Sequence, residues 1–247
     1  MFAERIASWF RAYVIAVSQS DYDAAIAQRI ISPTKLITIL NGIDEHLAEQ
    51  LLESTPAREQ LSAWAGVDLK NTRVAVAIAN LYPAKNIPLL IQAFDFVVRR
   101  ISDARLVIIG DGQQRGECEK ILKNVPDLAK KVFLVGKHPD AYKILRGADV
   151  MCLASTKEGM PYAVLEAQLA GTPVVATRVG GVPEMGEEPL LRLVVPHSAE
   201  MLADAIAQTL RENKRGSGIL QKKFTLSGMV NAIEAVYQNA TFQKISK

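Results

Sequence analysis

The sequence contains few of the residues from which metal sites and disulfide frameworks are built. Its 247 residues include two cysteines and three histidines. Cys118 and Cys152 form no Cys-x-x-Cys pair and have no histidine beside them, which argues against a zinc site. Two scattered thiols are typical of a reducing compartment, where cysteines stay free and buried. We therefore expect no bound metal.

Long apolar runs are also missing. The longest, such as "YVIAV" at 13–17 and "VAVAIA" at 74–79, fall far short of the roughly 20 residues that span a bilayer. The N-terminus carries Glu4 and lacks a small-residue cleavage site after a long apolar block, so it does not resemble a signal peptide. These features predict a cytoplasmic protein without an integral membrane segment. Peripheral attachment to the inner membrane face is the alternative.

Charge of one sign is not concentrated anywhere in the chain. The net charge is +3, charged residues make up 22%, and basic residues do not alternate with aromatic ones. This balance permits an anionic partner but does not indicate a nucleic acid. With 49% hydrophobic residues, the chain can bury a core as one large domain or two small ones.

Short β-branched runs alternate with longer helical patterns. Strands are predicted at 13–17, 36–40, 73–79, 105–109, 131–135, 149–153, 173–176 and 190–195. Helices are predicted at 2–11, 19–30, 57–65, 86–100, 114–124, 139–147, 161–170, 199–213 and 227–240. This alternation predicts an α/β protein with a Rossmann-like, doubly wound parallel sheet. Ligands of such sheets bind beyond the carboxyl ends of the strands, so function is sought in the loops that follow them.

A break near residue 44 divides the chain. Residues 1–44 hold two predicted strands, too few for a domain, and are interpreted as the remnant of a preceding domain with its linker. Residues 45–225 form the main Rossmann-like domain in this division. Residues 226–247 are predicted to be a closing helix and tail.

The segment 149–171, "DVMCLASTKEGMPYAVLEAQLAG", contains the most informative spacing. A buried strand is followed by a polar loop with Glu158 and Gly159. Pro161 is predicted as the first helical residue and Gly171 as the residue that ends the helix. The N–H groups at the start of this helix suit a phosphate. Glu158 and Glu166 could then accept hydroxyl hydrogen bonds on either side of it, as a nucleotide sugar requires.

A structural explanation of the two glutamates is also possible. Glu158 could be an ordinary acid at a helix N-terminus, and Glu166 a solvated helix residue. On spacing alone this explanation is preferred. However, Glu166 lies in "AVLEAQLAG", an apolar helix with little polar face, where an unpartnered acid is costly.

The segment "STKEGMPYAVLEAQLAGTPVVATRVGGVPEM" resembles the E-x7-E region of retaining glycosyltransferases of GT-B fold, in the large group one (family four) class. The resemblance extends in the family's order along nearly the whole chain. It includes "AVSQSDYDAAIAQRI", "ITILNGID", "ANLYPAKNIPLLIQAF", "ARLVIIGDGQQRGECEKI" and "KVFLVGKHPDAYKILRGADV". The ordered series is specific, whereas any single piece is not. It implies that this chain is the C-terminal, donor-binding half of such an enzyme.

The resemblance implies roles for the residues of this segment. Glu158 would contact hydroxyls of the donor sugar and act at the catalytic centre, and Glu166 would hold the ribose diol. Backbone N–H groups of Gly159, Met160 and the helix start at Pro161 would bind sugar and phosphate. Retention in this class is ascribed to front-face attack assisted by the leaving diphosphate, so neither glutamate need be a nucleophile.

Lys85, in "YPAKN", is the predicted diphosphate clamp and second catalytic residue. Its ammonium would supply a point charge to the phosphate oxygens. Without the resemblance, a surface lysine that opens a helix would be the better interpretation. The family commonly has an arginine five residues earlier, where this chain has Asn80. Asn80 can donate a neutral hydrogen bond to the donor but brings no charge, which weakens the expected clamp.

Other loops are predicted to flank the donor. "GDGQQRG" fails the dinucleotide pattern because Arg115 stands at the third glycine position, so Gly110 and Gly112 are interpreted as turn glycines beside the donor. "VGG" at 179–181 is predicted to come close to the ligand, and 136–143 to flank the base by its backbone. The acids of "DYD" at 21–23 are predicted to favour a helix start rather than to bind a metal. No histidine has an obvious acid partner, and none is assigned a catalytic role.

The resemblance also implies what the donor half needs. Its substrate would be a UDP or GDP sugar, with no cofactor and no metal, in polysaccharide or lipopolysaccharide biosynthesis. An acceptor-binding domain or partner chain would complete the cleft, and the chain would be an excised fragment or a short gene product. Without that domain, Ile6, Trp9 and Phe10 could favour self-association. A non-catalytic nucleotide-sugar binding subunit and a related GT-B phosphorylase or epimerase are the alternative functions, and the E-x7-E context argues more against the epimerase.

Overall fold

The computed structural model describes residues 13–245, and the side chains of residues 13–240. The predicted helix at 2–11, with Ile6, Trp9 and Phe10, lies outside the described residues. Two parallel sheets are present: a pair of short strands near the start and a sheet of six strands. This architecture confirms the predicted doubly wound α/β fold.

The first part of the described chain forms the two-stranded sheet. β1 (Val14–Ala16) pairs with β2 (Leu36–Thr38) in parallel, and α1 (Gln19–Ala27) connects them. The predicted helix at 19–30 is too long, because Arg29 adopts a left-handed conformation (φ 53°) that no α-helix continues through. Two short strands cannot form a stable sheet alone. This unit therefore depends on its contacts with the rest of the chain.

The six-stranded sheet has the order β5-β4-β3-β6-β7-β8. Its strands are β3 (Arg73–Ile78), β4 (Ala104–Ile109), β5 (Val132–Gly136), β6 (Val150–Leu153), β7 (Val174–Thr177) and β8 (Leu191–Val194). All neighbours are parallel. Renumbered from one, the order is 3-2-1-4-5-6, which is that of dinucleotide-binding folds. All eight predicted strands are present.

Helices cover both faces of this sheet. The helices after β2 are α2 (Leu47–Gln50), α3 (Ser54–Ala65), α4 (Ile87–Arg100), α5 (Arg115–Asn124), α6 (Pro126–Ala129), α7 (Tyr162–Leu169), α8 (Ala199–Glu212) and α9 (Leu226–Ile245). Of these, α3 and α7 pack on one face of the sheet, and α4 and α8 pack on the other. The four-residue helices α2 and α6 were not predicted, because one turn carries no periodic signal. The predicted helix at 139–147 is a 3-10 helix over Ala141–Gly147.

Successive residues of each central strand enter opposite halves of the core. In β3, Val74 and Val76 pack on the side of α3 and α7, whereas Ala75 and Ala77 pack towards α4 and α8. Continuous apolar strands are the consequence of this double coverage. Cys118 and Cys152 are free and buried, as predicted. Burial raises the pKa of Cys118 to about 11, so its thiol stays protonated and unreactive at neutral pH.

Candidate functional site

The order of the strands fixes where a ligand can bind. β3 and β6 are neighbours in the sheet, and β4 and β7 continue it in opposite directions. A crevice opens beyond the carboxyl ends of parallel strands at such a switch point. The loop after β3 carries Asn80 and Lys85, and the loop after β6 carries Glu158. The topology therefore brings together two loops that are more than 70 positions apart in sequence.

Lys85 and Glu158 are in direct contact at this switch point. Lys85 Nζ donates to Glu158 Oε1 over 2.6 Å. The same oxygen accepts from Ser155 Oγ over 2.5 Å. The Glu158 side chain is 8% exposed and that of Lys85 is 27% exposed. Hence Glu158 is not an ordinary acid at a helix N-terminus: it is a shielded carboxylate held by two donors.

The backbone around this pair is fixed by several hydrogen bonds. Pro83–Lys85 form a 3-10 turn that ends at Asn86 in a left-handed conformation. The N–H of Thr156 donates to the carbonyl of Ala84 over 2.8 Å, which joins the two loops. Fully buried Ser155 accepts at its carbonyl from Thr177 Oγ1 over 2.5 Å. Lys85 and Glu158 therefore project from loops whose relative position is set by main-chain contacts.

A cleft of about 510 Å³ lies beside the ion pair. Its walls come from the ends of β3, β4 and β5. The lining residues are Ile78, Ala79, Asn80, Lys85, Ile109, Gly110, Lys137, His138, Pro139 and Ala141. Three predicted donor residues, Asn80, Lys85 and Gly110, line this cleft together. A larger cavity of about 740 Å³ runs along α3 and the residues before β3, at the amino ends of the strands, where this fold does not bind ligands.

Glycines allow the two loops after β3 and β4 to approach each other closely. A Cβ on Gly110 would lie 1.9 Å from the carbonyl oxygen of Ala79, and one on Gly112 would lie 2.8 Å from that of Leu81. No side chain fits in that space. Gly110 thus forms part of the cleft floor, whereas Gly112 packs behind Leu81 and does not line the cleft.

His138, which lines the cleft, is held by an aromatic contact. The ring of His138 stacks on Trp64 of α3, with centroids 4.0 Å apart and planes inclined by 13°. His138 Nε2 lies 3.2 Å from the carbonyl oxygen of Val135, which fixes the ring orientation. Four residues of the segment 136–143 line the cleft, and the predicted backbone contact with the base stays a prediction.

The helix α7 begins one residue later than predicted. Pro161 is extended (φ −72°, ψ 124°) and precedes the helix, and Tyr162 is its first residue. The missing N–H of Pro161 costs nothing in this position. Gly171 follows the helix with φ 68°, as predicted. Among the described residues, no acceptor binds the N–H groups of Gly159, Met160 or Tyr162, and these are the donors that the resemblance assigns to sugar and phosphate.

Glu166 lies in the second turn of α7. Burial raises the pKa of its carboxyl group. Within the described part of the chain, its carboxylate makes no hydrogen bond or ion pair. Glu166 is half-buried, and its carboxylate oxygens still reach solvent. Glu166 does not line the cleft of 510 Å³, but α7 contacts the 3-10 helix Ala141–Gly147, whose first residue does line it.

Several residues of this site were not predicted from the sequence. Ser155 and Thr177 orient Glu158 through two linked hydrogen bonds, one partly buried and one buried. Gly180, which has φ 51°, lies so close that a Cβ would be 1.7 Å from the carbonyl oxygen of Glu158. Residues 179–181 were predicted to lie close to a ligand. In the structure they lie close to the loop that carries Glu158. Ser155 stands three residues before Glu158, which was a usable signal.

The remaining polar residues lie away from this centre. Asp21 is in the first turn of α1, where its N–H donates to Ser18 Oγ. The statement that no histidine has an acid partner is wrong for His46, because Glu49 lies 3.3 Å away and raises the pKa of this exposed imidazole. Between residues 13 and 245, no cluster of three or more acids, cysteines and histidines could hold a metal ion. No helix in that range is both long and apolar enough to cross a membrane.

Comparison with known proteins identifies relatives across this region. The model of the family described as "Glycosyl transferases group 1" matches residues 72–212. An Escherichia coli UDP-Gal:alpha-D-GlcNAc-diphosphoundecaprenol alpha-1,3-galactosyltransferase is 28% identical over 170 residues, which cover 68% of this chain and 43% of that protein. A D-inositol 3-phosphate glycosyltransferase of Saccharomonospora viridis is 30% identical over 237 residues, covering 89% of this chain and 52% of that protein.

Solved structures show the same fold. The crystal structure of Anabaena HepE in complex with UDP and glucose superposes with a TM-score of 0.79 at 22% identity, covering 96% of this chain and 66% of that chain. Sucrose-phosphate synthase from Thermosynechococcus elongatus superposes with a TM-score of 0.77 at 21% identity, covering 98% and 61%. The chain spans about half the length of the curated relatives it matches.

Proposed function

Because this chain belongs to the group 1 glycosyl transferase family, we propose that it binds the donor of a retaining glycosyltransferase. The donor is a nucleotide diphosphate sugar, and the transferred sugar goes to an acceptor in polysaccharide or lipopolysaccharide synthesis. The observation that supports this most strongly is the Lys85–Glu158 contact at the switch point of the sheet. It places a cation and a shielded carboxylate beside a cleft large enough for a nucleotide.

Lys85 is proposed to bind the diphosphate. Its ammonium has three N–H donors and only one bond to Glu158, so it can hold Glu158 and a phosphate oxygen together. As the bond between sugar and diphosphate breaks, negative charge develops on the leaving oxygen. A fixed cation at that point lowers the barrier because it needs no reorganisation. Asn80, on the same loop, can add a neutral hydrogen bond.

Glu158 is proposed to bind sugar hydroxyls. Its Oε1 accepts from Lys85 and Ser155, which lowers its nucleophilicity and leaves Oε2 as the acceptor for the sugar. This environment supports retention by front-face attack over a covalent glycosyl-enzyme. The N–H groups of Gly159, Met160 and Tyr162 are the proposed donors to sugar and phosphate, at the positive end of α7.

Glu166 is proposed to accept from the ribose diol. Partial burial of a carboxylate without a protein partner carries a desolvation cost, and two ribose hydroxyls would supply hydrogen bonds to it. The base then lies towards the wall formed by His138 and Pro139. UDP is the first nucleotide to test, because names of two relatives mention it: the UDP-Gal transferase and HepE with UDP.

Calorimetric titration of the chain with UDP, UMP and uridine tests this proposal. We expect UDP to bind more tightly than UMP and uridine, because only UDP presents a diphosphate to Lys85. The exposed Lys157 provides a matched control, since it neighbours Glu158 but lies outside the cleft. Lys157→Ala should leave the preference for UDP intact. Equal affinities for UDP and uridine in the unaltered chain would contradict the proposal.

A further inference from the structure

Glu184 joins the loop after β7 to the start of α1. Its Oε2 accepts from the N–H of Gln19, and its Oε1 accepts from the N–H of Ser20, each over 2.9 Å. These are the first two residues of α1, whose N–H groups have no partner inside the helix. Ser18 Oγ accepts from the third, that of Asp21. The carboxylate of Glu184 thus completes the cap of a helix that precedes it by about 165 positions.

The loop that carries Glu184 also packs against the loop that carries Glu158. The N–H of Gly181 donates to the carbonyl of Gly159 over 2.8 Å. A Cβ on Gly181 would lie 2.5 Å from the Cβ of buried Ser18. A Cβ on Gly159 would lie 3.0 Å from Val17 Cγ2. Three segments are therefore closely packed, with glycines at their contact points: the start of α1, the loop after β7 and the loop of Glu158.

In the part of the chain that the structure describes, the carboxylate of Glu184 forms hydrogen bonds only with the backbone N–H groups of α1. Lys223 Nζ donates to its backbone carbonyl over 3.1 Å, not to its carboxylate. Among the described residues, no cation pairs with that carboxylate. Both of its oxygens are committed to the helix, whose positive end also favours the negative charge. Glu184 therefore links α1 to the loop that packs against the Glu158 loop.

We propose that Glu184 is a positioning residue for the donor site. By holding α1 against Gly181, it keeps Gly159 and Glu158 in the geometry that binds the donor. This inference rests on the proposed function. If α1 and the donor loop are linked in this way, the coupling is reciprocal: donor binding must stabilise the start of α1 just as Glu184 supports the donor loop.

The test combines UDP titration with hydrogen exchange at the amides of Gln19 and Ser20. In the unaltered chain, saturating UDP should slow exchange at both amides. Glu184→Gln should speed their exchange and weaken UDP binding at least about fivefold, the lower end of coupling between linked sites. The matched control is Glu187→Gln, three residues along on an exposed part of the same segment, which should change neither quantity.

The outcomes separate this inference from the proposed function. Faster exchange in Glu184→Gln with unchanged UDP affinity would make Glu184 a helix cap only, and would overturn the inference. Exchange that does not respond to UDP in the unaltered chain would overturn it without any variant, even if Glu184→Gln failed to fold. No UDP binding by the unaltered chain would overturn the proposed function, and the inference with it.

Discussion

Glu166 is expected to lower the stability of the folded chain at neutral pH and to contribute to donor binding. Its side chain is half-buried, and this partial burial raises the pKa of its carboxyl group. The folded state therefore favours the neutral acid. The stabilising contribution of the neutral form is fully present below the unfolded pKa of about 4.3. It is lost as pH rises through the higher folded pKa.

The substitution Glu166→Gln should stabilise the chain at pH 7 and weaken UDP binding. The amide removes the cost of burying a charge but loses a charged acceptor for ribose hydroxyls. We expect the loss in binding to be about 1.5–3 kcal/mol, the range for hydrogen bonds to charged groups. Thermal unfolding and calorimetry on the same samples measure both effects. Lower stability with unchanged UDP affinity would exclude Glu166 as the ribose ligand.

Lys85 and Asn80 are predicted to act on the diphosphate and not on the nucleoside. Lys85→Ala should weaken UDP binding far more than uridine binding. Asn80→Arg should tighten UDP binding, because Asn80 lines the same cleft as Lys85 and an arginine there adds a charge for the diphosphate. Titrations with UDP and uridine measure both effects. If neither substitution changed UDP affinity, the phosphates would lie elsewhere.

Individual site residues were predictable where their chemistry is local. Lys85 and Glu158 were both selected from their loops, although the 2.6 Å contact between them was not, because it depends on which strands are neighbours in the sheet. Glu184 was missed for the same reason, because only the fold brings its carboxylate to the start of α1. Ser155 was missed although it stands three residues before Glu158 in the same loop.

Among the structural elements, the loop after β7, which contains Gly180, determines the position of the Glu158 loop. Gly180 and Gly66 are both left-handed, with φ 51° and 69°. A Cβ on Gly180 would overlap the carbonyl oxygen of Glu158, whereas one on Gly66 would have no atom within 4 Å. The two glycines therefore separate the effect of backbone strain from the effect of close packing.

The substitution Gly66→Ala should cost about 1–2 kcal/mol of stability, the strain of a left-handed alanine, and leave UDP binding unchanged. Gly180→Ala should cost more and also weaken UDP binding, because the Glu158 loop must move. Denaturant unfolding and UDP titration of both variants provide the comparison. Equal effects of the two substitutions would show that the packing of Gly180 against Glu158 is unimportant.

The regular elements of the sheet were predictable because their residues are apolar on both faces. The errors of prediction concern short helices and helix ends, where a single turn distinguishes one assignment from another. Residues 139–147 have a helical pattern but form a 3-10 helix, and Pro161 precedes α7 where a first helical residue was expected. The helices α2 and α6, with four residues each, are shorter than any periodic signal.

At the scale of the whole molecule, donor binding and sugar transfer are predicted to separate. The proposed donor ligands Lys85, Glu158 and Glu166 all lie between β3 and the end of α7. Acceptor positioning belongs, by the resemblance, to a part of the relatives that this chain does not span. Correct positioning of two reactants accounts for roughly 7–11 kcal/mol of a bimolecular barrier.

The 247-residue chain should therefore bind UDP and not transfer sugar to an added acceptor. A radiolabelled UDP-sugar assay with lipid and saccharide acceptors, run beside a binding titration, measures both. At most, slow hydrolysis of the donor is expected, because an open cleft admits water. Efficient transfer by the purified chain would show that the acceptor site does not require a further domain or chain.

A crystal structure of this chain with UDP bound would show directly where the donor lies. We expect the diphosphate within hydrogen-bonding distance of Lys85 Nζ and the N–H groups at the start of α7. We expect the ribose hydroxyls at the carboxylate of Glu166, and the base beside His138 and Pro139. UDP bound at the amino ends of the strands, or with its diphosphate remote from Lys85, would contradict the assignment of the donor site.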